Sequence, residues 1–504
     1  MKTKAKKLVT LILTALLVLS ILPMNVFAAQ SAVTASSTAS ITIKNAVEND
    51  VLAAYKVIDI AYNDGNNTLS YAWNSDFADY FAGTTSYNST AYTVEQFAAL
   101  TDDSVALKTL LAGLPNYIAN RTIAPVDTQT VAEGGAATFA GLAMGEYFIR
   151  PTSTTSVYQL MLQKVEPTVS GGAYVIDDVT FSAKHEEVSV TKTADKTSVT
   201  KNEKVNYTIT VDIPTYSVNS TDKSFYVSDL LPDGLTIDVG SIKVVRNGTD
   251  ITSENTQYTL DKTANTTTPP YYTFKLSVDT AQYAASWSAN GGKKLVITYT
   301  ATLKNDNTTA VNGKETNTVT FDYSNYPYVE NSHAQKTAAV DVTTFAIKID
   351  KYVQGHSDQK LSDAKFELYR TATAAEVGEG TSVEIPHTSI QGIKLEGDKV
   401  TDANGTAIFA KYEANGTNYD YYLVETQAPS GYNLLDNAVK VNFTDADVEA
   451  TDGVYAVEVP NSSGITLPIT GGTGTVIFTI IGIALMAGAV VLFVVSRKKA
   501  EESK

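Results

Sequence analysis

Period-two alternation of β-branched and aromatic residues most restricts the folds open to this chain. Residues 204–211 (Lys-Val-Asn-Tyr-Thr-Ile-Thr-Val), 294–301 (Lys-Leu-Val-Ile-Thr-Tyr-Thr-Ala) and 455–459 (Tyr-Ala-Val-Glu-Val) show it clearly. In a strand, such spacing lines one face with core side chains. Asn247-Gly248, Asn312-Gly313 and Asn404-Gly405 supply turns between such runs. The pattern predicts an all-β chain built of tandem β-sandwiches. A length of 504 residues corresponds to about three domains. The alternation restarts to give 38–182, 185–342 and 343–463, joined by links short enough to make a rod. Helices are expected only as short pieces in the first domain, the best stretch being 93–114.

Both ends read as processing devices. Lys2, Lys4, Lys6 and Lys7 precede an apolar run at 8–22, and Val26-Phe27-Ala28 offers small residues where a signal peptidase reads, so 1–28 is a secretory signal. At the other end Leu467-Pro468-Ile469-Thr470-Gly471 is followed by an apolar run at 475–495 and then Arg497-Lys498-Lys499. That run is long enough to span a bilayer as a helix, and the basic cluster would keep its end cytoplasmic. In this order, 467–504 resembles a sortase sorting signal, which implies cleavage between Thr470 and Gly471.

Composition excludes several classes. The formal net charge of −16 argues against nucleic acid and anionic lipid as partners. With no Cys and four His, no transition-metal site or other cofactor is expected. His185, His333, His356 and His387 lie in polar, turn-like surroundings, which speaks against a surface hydrolase. Small secreted β-domains commonly rely on disulfides, so a cysteine-free chain needs another staple.

The third domain carries a lysine-bearing first strand (Ile347-Lys348-Ile349-Asp350-Lys351), the segment Tyr422-Leu423-Val424-Glu425-Thr426-Gln427-Ala428-Pro429-Ser430-Gly431-Tyr432, and the ending Val459-Pro460-Asn461. It resembles a CnaB-type isopeptide domain, the middle segment matching the pattern called the E-box. With the secretory signal, three immunoglobulin-like sandwiches and the sorting signal, the chain resembles a major (backbone) pilin of Gram-positive bacteria. A monomeric wall-anchored adhesin or ancillary pilin is the alternative.

That resemblance implies that a buried Lys condenses with an Asn carboxamide, losing ammonia, while a carboxyl group assists. In the third domain it points to Lys348 as nucleophile, Asn461 as electrophile and Glu425 as acid. Lys351 competes, and alternation puts it on the opposite face from Lys348. The second domain resembles the larger CnaA-like pilin domain, with Lys192, Asp229 and Asn317 as nucleophile, acid and electrophile; Asn325 and Asp322 are alternatives. In the first domain Arg150 stands where the acid would be, and a guanidinium cannot shuttle the proton. No staple is expected there, with Lys44 and Lys56 the candidates otherwise.

For polymerisation the resemblance implies an exposed acceptor lysine at the end of the first domain, here Lys184, with Lys164 or Lys192 weaker candidates. Ser182-Ala183 replace the Tyr-Pro that usually precedes it. The implied partners are a pilus-specific and a housekeeping sortase, further copies of the chain, the peptidoglycan cross-bridge, and tip or basal pilins and host surface ligands. The implied role is that of a sortase substrate with self-formed staples on a wall-anchored fimbria, not a turnover enzyme.

Overall fold

A computed structural model describes residues 33–101, 104–253, 255–304, 313–413, 419–441, 453–463 and 473–501. The secretory signal and Leu467 to Gly471 lie outside these residues. The described chain is mostly β-structure, and its buried side chains gather into cores that follow one another along the sequence.

In the first unit, Thr38–Lys44 lies between Ala137–Ala143 and Val179–Ser182, pairing antiparallel with the former and parallel with the latter. Opposite stands a sheet in the order Thr68–Trp73, Val51–Asn63, Gly145–Ser153, Met161–Val165. Val51–Asn63 is covered on both faces. Its Leu52 and Ala54 point into the sandwich, while Ala53, Tyr55 and Val57 pack under helices.

Those helices occupy Val94–Ala98 and Val105–Arg121. The first is closed by a Thr93/Gln96 capping box, and the Ser104 side chain caps the second by accepting from the Leu107 amide at 3.2 Å. The second helix runs past Pro115, beyond the expected end at 114. An interior proline costs about 3 kcal/mol, but the extension buries Tyr117 and Ile118, and burying one large apolar side chain contributes about 1.5–3 kcal/mol.

The second unit stacks two sheets. One runs Val190–Ala194, Lys204–Asp212, Lys294–Leu303, Leu235–Arg246. The other carries Phe274–Val278, Phe225–Leu230, Gly313–Ser324 and His333–Val353. Val205, Tyr207, Ile209 and Val211 face Val227, Leu276, Val319 and Phe321 across the core, as the alternation requires.

His333–Val353 does not stop where the second unit ends. Its 21 residues pair with Gly313–Ser324 in the first half, then with Thr406–Tyr412 and, in parallel, with Val454–Asn461. The boundary expected at 342/343 therefore falls inside one continuous strand. There the Thr343 amide donates to the Thr197 carbonyl at 2.7 Å and the Val199 amide to the Thr343 carbonyl at 3.1 Å. The third unit closes with Gln391–Val400, Lys365–Thr371, Tyr421–Gln427 and Val439–Val441. Beyond it, Thr473–Glu501 forms a helix whose stretch Thr479–Arg497 is long and apolar enough to cross a membrane.

Candidate functional site

Two sealed polar pockets stand out in otherwise apolar cores. In the second unit Lys192 lies mid-strand in Val190–Ala194, opposite Ile209, and its side chain is 0% exposed. Its ammonium contacts the Asp229 carboxylate and lies 3.0 Å from the Tyr299 hydroxyl. That hydroxyl donates to Asp229 Oδ1 at 3.0 Å and accepts from Asn317 Nδ2 at 2.7 Å. Asp229 pairs with Val319 across the sheet. Asn317, two residues along, therefore points to the same face.

The geometry joins Lys192, Asp229 and Asn317 through one phenol. Tyr299 and Tyr207 wall the pocket, each ring centroid 5.5 Å from the lysine nitrogen. Burial drives the Lys192 amine down and the Asp229 carboxyl up, and their mutual attraction opposes both shifts. Both directions favour the neutral amine and the protonated acid. Asn317 is fully buried and its Oδ1 has no hydrogen-bond partner. It is an open acceptor on the carbonyl that a protonated carboxyl would polarise.

The third unit repeats the arrangement with one correction. Lys351, not Lys348, enters the pocket. Ile347, Ile349, Lys351 and Val353 form the buried face of the strand, while Lys348, Asp350 and Tyr352 lie on the other and are half-buried. Lys351 Nζ is 0% exposed, 3.3 Å from Glu425 Oε1, and donates to the Val459 carbonyl at 3.2 Å. Asn461 Nδ2 donates to both Glu425 oxygens at 3.1 and 3.0 Å and to the Asn433 carbonyl at 2.6 Å. The Leu435 amide donates to Glu425 Oε2 at 3.0 Å. Burial lowers Lys351 to about 8 against the attraction of Glu425, so near neutral pH a usable fraction of amine is uncharged. As in the second unit, the asparagine Oδ1, here of Asn461, has no partner.

Tyr299, Tyr207 and the amide of Leu435 are site groups that the motifs do not name. Tyr299 carries a readable signal: it shares a strand face with Leu295, Ile297 and Ala301, and a buried tyrosine needs a partner for its hydroxyl.

The remaining candidates fall elsewhere. Asn325 and Asp322 are absent from the Lys192 pocket. Asn325 Nδ2 donates to the Thr154 carbonyl of the first unit at 2.6 Å, and Asp322 contacts His333 Nδ1 at 2.5 Å. Lys44 is exposed, and Lys56 pairs with Asp59 at 2.7 Å. Lys164 lies 3.8 Å from Glu146. Lys184 is exposed, its carbonyl accepting from the Gln159 amide at 2.9 Å.

The His333 cluster makes a pH-dependent clasp. His333 Nε2 meets Asp222 Oδ2 at 3.0 Å, and the Asn331 amide donates to the same oxygen at 3.3 Å. In the same loop, Tyr326 and Tyr328 pack on Ala112 and Leu160 of the first unit. Burial pulls His333 down, but the two aspartates outweigh it and raise it to about 9. Asp222 is pushed up by burial, yet His333 and Ser224 bring it to about 2. The histidine contribution is therefore complete below its ordinary 6.5 and lost as pH rises through about 9. The aspartate contribution is present above its ordinary 3.8 and lost as pH falls through about 2. Unfolding in denaturant should show the second unit weaker at pH 9.5 than at pH 6, by on the order of 3 kcal/mol. His333→Gln should flatten that slope; an unchanged slope would remove the clasp.

Comparison with known proteins places these pockets in context. A family model described as a prealbumin-like fold domain, SpaA, matches residues 345–454, and one for the LPXTG cell wall anchor motif matches 459–502. Fimbrial subunit type 1 of Actinomyces viscosus is 27% identical over 329 residues, 58% of this chain and 61% of that one. The trypsin-resistant surface T6 protein of Streptococcus pyogenes is 25% identical over 364 residues, 59% of this chain and 65% of that one. The matches thus span just under two thirds of these two relatives. Among solved structures, the T6 backbone pilin of S. pyogenes aligns with a TM-score of 0.57 at 17% identity, covering 86% of this chain and 100% of that one. The major pilin SpaD of Corynebacterium diphtheriae aligns at 0.54 with 16% identity, covering 86% and 99%. At such identities the structural likeness speaks to the fold.

Proposed function

We propose that this chain, an LPXTG-anchored pilin of the backbone type on the cell surface, is the repeating subunit of a covalently joined fimbria stiffened by two self-formed Lys–Asn staples. The observation that carries the reading is the repetition, in two separate cores, of a buried lysine, carboxyl group and asparagine gathered in one pocket, joined through the Tyr299 hydroxyl in the second unit and through Glu425 in the third.

In each pocket the neutral lysine nitrogen attacks the asparagine Cγ. In the second unit the protonated form that burial favours in Asp229 would donate toward the open Asn317 Oδ1 and stabilise the oxyanion that forms, while in the third unit Glu425 holds the Asn461 carboxamide by accepting from its Nδ2. The nitrogen–Cγ bond forms, the Cγ–Nδ2 bond breaks, and the nitrogen of the old carboxamide leaves as ammonia with a proton surrendered by the lysine. A sortase cysteine would then cleave between Thr470 and Gly471 and pass the Thr470 acyl group to Lys184 of the next copy. At the base, the cell-wall cross-bridge would be the acceptor. Such head-to-tail contacts do not close and give a filament.

Intact-mass measurement on residues 29–470 tests the staples. The expected loss is two ammonia equivalents, with crosslinked peptides joining Lys192 to Asn317 and Lys351 to Asn461. A mass equal to the unmodified sequence would discard the staples and leave a wall-anchored sandwich protein.

A further inference from the structure

Arg150, the residue at the place of the missing first-domain acid, lines a recess of about 130 Å³ between the first and second units. Thr152 and Thr154 join it from the first unit, and Asn325, Tyr326 and Ser332 from the second. The Arg150 guanidinium lies 5.6 Å from the Tyr55 ring centroid, and its buried Nε has no hydrogen-bond partner. Tyr326 is 3% exposed, and its hydroxyl also has none.

The other polar groups of the recess are engaged. Thr154 Oγ1 donates to Asp50 Oδ2 at 2.7 Å, Asn325 Nδ2 to the Thr154 carbonyl at 2.6 Å, and Ser332 Oγ to Asn325 Oδ1 at 3.1 Å. The two unmet groups are thus a cationic N–H, which can only donate, and a hydroxyl, which can donate as well as accept. No carboxylate lines the recess, and among the described residues none forms an ion pair with Arg150. Buried donors call for an acceptor, and a guanidinium fork beside a phenol suits an anion carrying two oxygens. At about 30 Å³ per water, the volume holds about four waters, the size of an anion of a few heavy atoms.

We propose that this recess binds a small oxyanion, a carboxylate or inorganic phosphate, gripped by Arg150 and Tyr326. Because its walls belong to two units, an occupant would also brace the junction between them.

The test is calorimetric titration of the full chain in non-ionic detergent with acetate and, separately, phosphate, at constant ionic strength set with chloride. Saturable one-to-one binding is expected with at least one of them. Preference for acetate identifies a planar carboxylate, and preference for phosphate a tetrahedral anion. Arg150→Met should abolish the binding. Arg150→Lys, which keeps the charge and loses the fork, and Tyr326→Phe, which removes one hydroxyl, should each weaken it about tenfold, with circular dichroism confirming that the variants fold. The same anion should raise the unfolding temperature of the parent and of neither Arg150 variant. Absence of saturable binding by both anions, or binding unchanged in all three variants, overturns the proposal.

Discussion

Lys351→Met is expected to leave the third domain unstapled, with one ammonia equivalent fewer lost, whereas Lys348→Met keeps the full mass shift. Of the two lysines, Lys351 shares a sealed pocket with Glu425 and Asn461; Lys348 is half-buried on the opposite strand face. The bond would close a loop of roughly 110 residues between the first and last strands of the unit. By analogy with a disulfide closing a loop of that order, its loss costs about 4.7 kcal/mol. Lys351→Met also replaces the side chain that packs against Glu425 in the sealed pocket, so packing changes together with the staple. Glu425→Gln separates the two. It retains the shape of the pocket and removes the acid, so an unstapled mass there assigns the loss to chemistry and not to packing. Thermal unfolding and trypsin resistance should fall together with the ammonia loss across the series. Should Lys348→Met abolish the shift while Lys351→Met preserves it, the assignment of the nucleophile collapses.

Strand parity was enough to find that lysine. Ile347, Ile349 and Lys351 are three odd-numbered neighbours, so the lysine on the apolar face is Lys351, while Lys348 alternates with Asp350 toward the polar side. Resemblance to a motif pointed to Lys348; counting faces points to Lys351. The resemblance also pointed to Glu425, Asn461, Lys192, Asp229 and Asn317, and the structure gathers these side chains into two buried pockets, where polar groups must be satisfied by one another. Tyr299 was legible only in part: its place on an apolar strand face calls for a partner to its hydroxyl, but its type does not say which groups that hydroxyl joins. Two features of the fold were less accessible. Val51–Asn63 is buried on both faces and so does not alternate, and nothing local in His333–Val353 announces that one strand serves two sheets. Pairing of that kind is decided by distant partners, such as Thr197 and Val199 against Thr343.

Lys184→Arg should reduce the high-mass ladder of wall extracts, seen by an antibody to the protein, to a single monomer band. The intersubunit step requires an amine that a second protein can reach. Lys192 and Lys351 are 0% exposed, so burial that suits them to internal condensation denies them to a sortase. Lys184 has the opposite placement. Its side chain is exposed, while its backbone is held between Val179–Ser182 and His185–Glu186 by the Gln159 amide, and the neighbouring Ala183 amide donates to the Lys44 carbonyl at 2.8 Å. A fixed main chain with a free side chain presents the nitrogen at low entropic cost. In the proposed reaction that nitrogen would attack the Thr470 thioester carbonyl, the new amide forming as the sortase thiolate leaves. Arginine keeps the charge but cannot supply a neutral amine near neutral pH, so the variant should fold, retain both internal ammonia losses and still reach the wall as a monomer. Lys164→Arg is the control and should leave the ladder intact. A ladder that persists in Lys184→Arg and disappears in Lys164→Arg would move the joint to Lys164, and one that survives both would place it on another exposed amine. In either case the internal staples, tested by mass alone, would stand independently of how the subunits are joined.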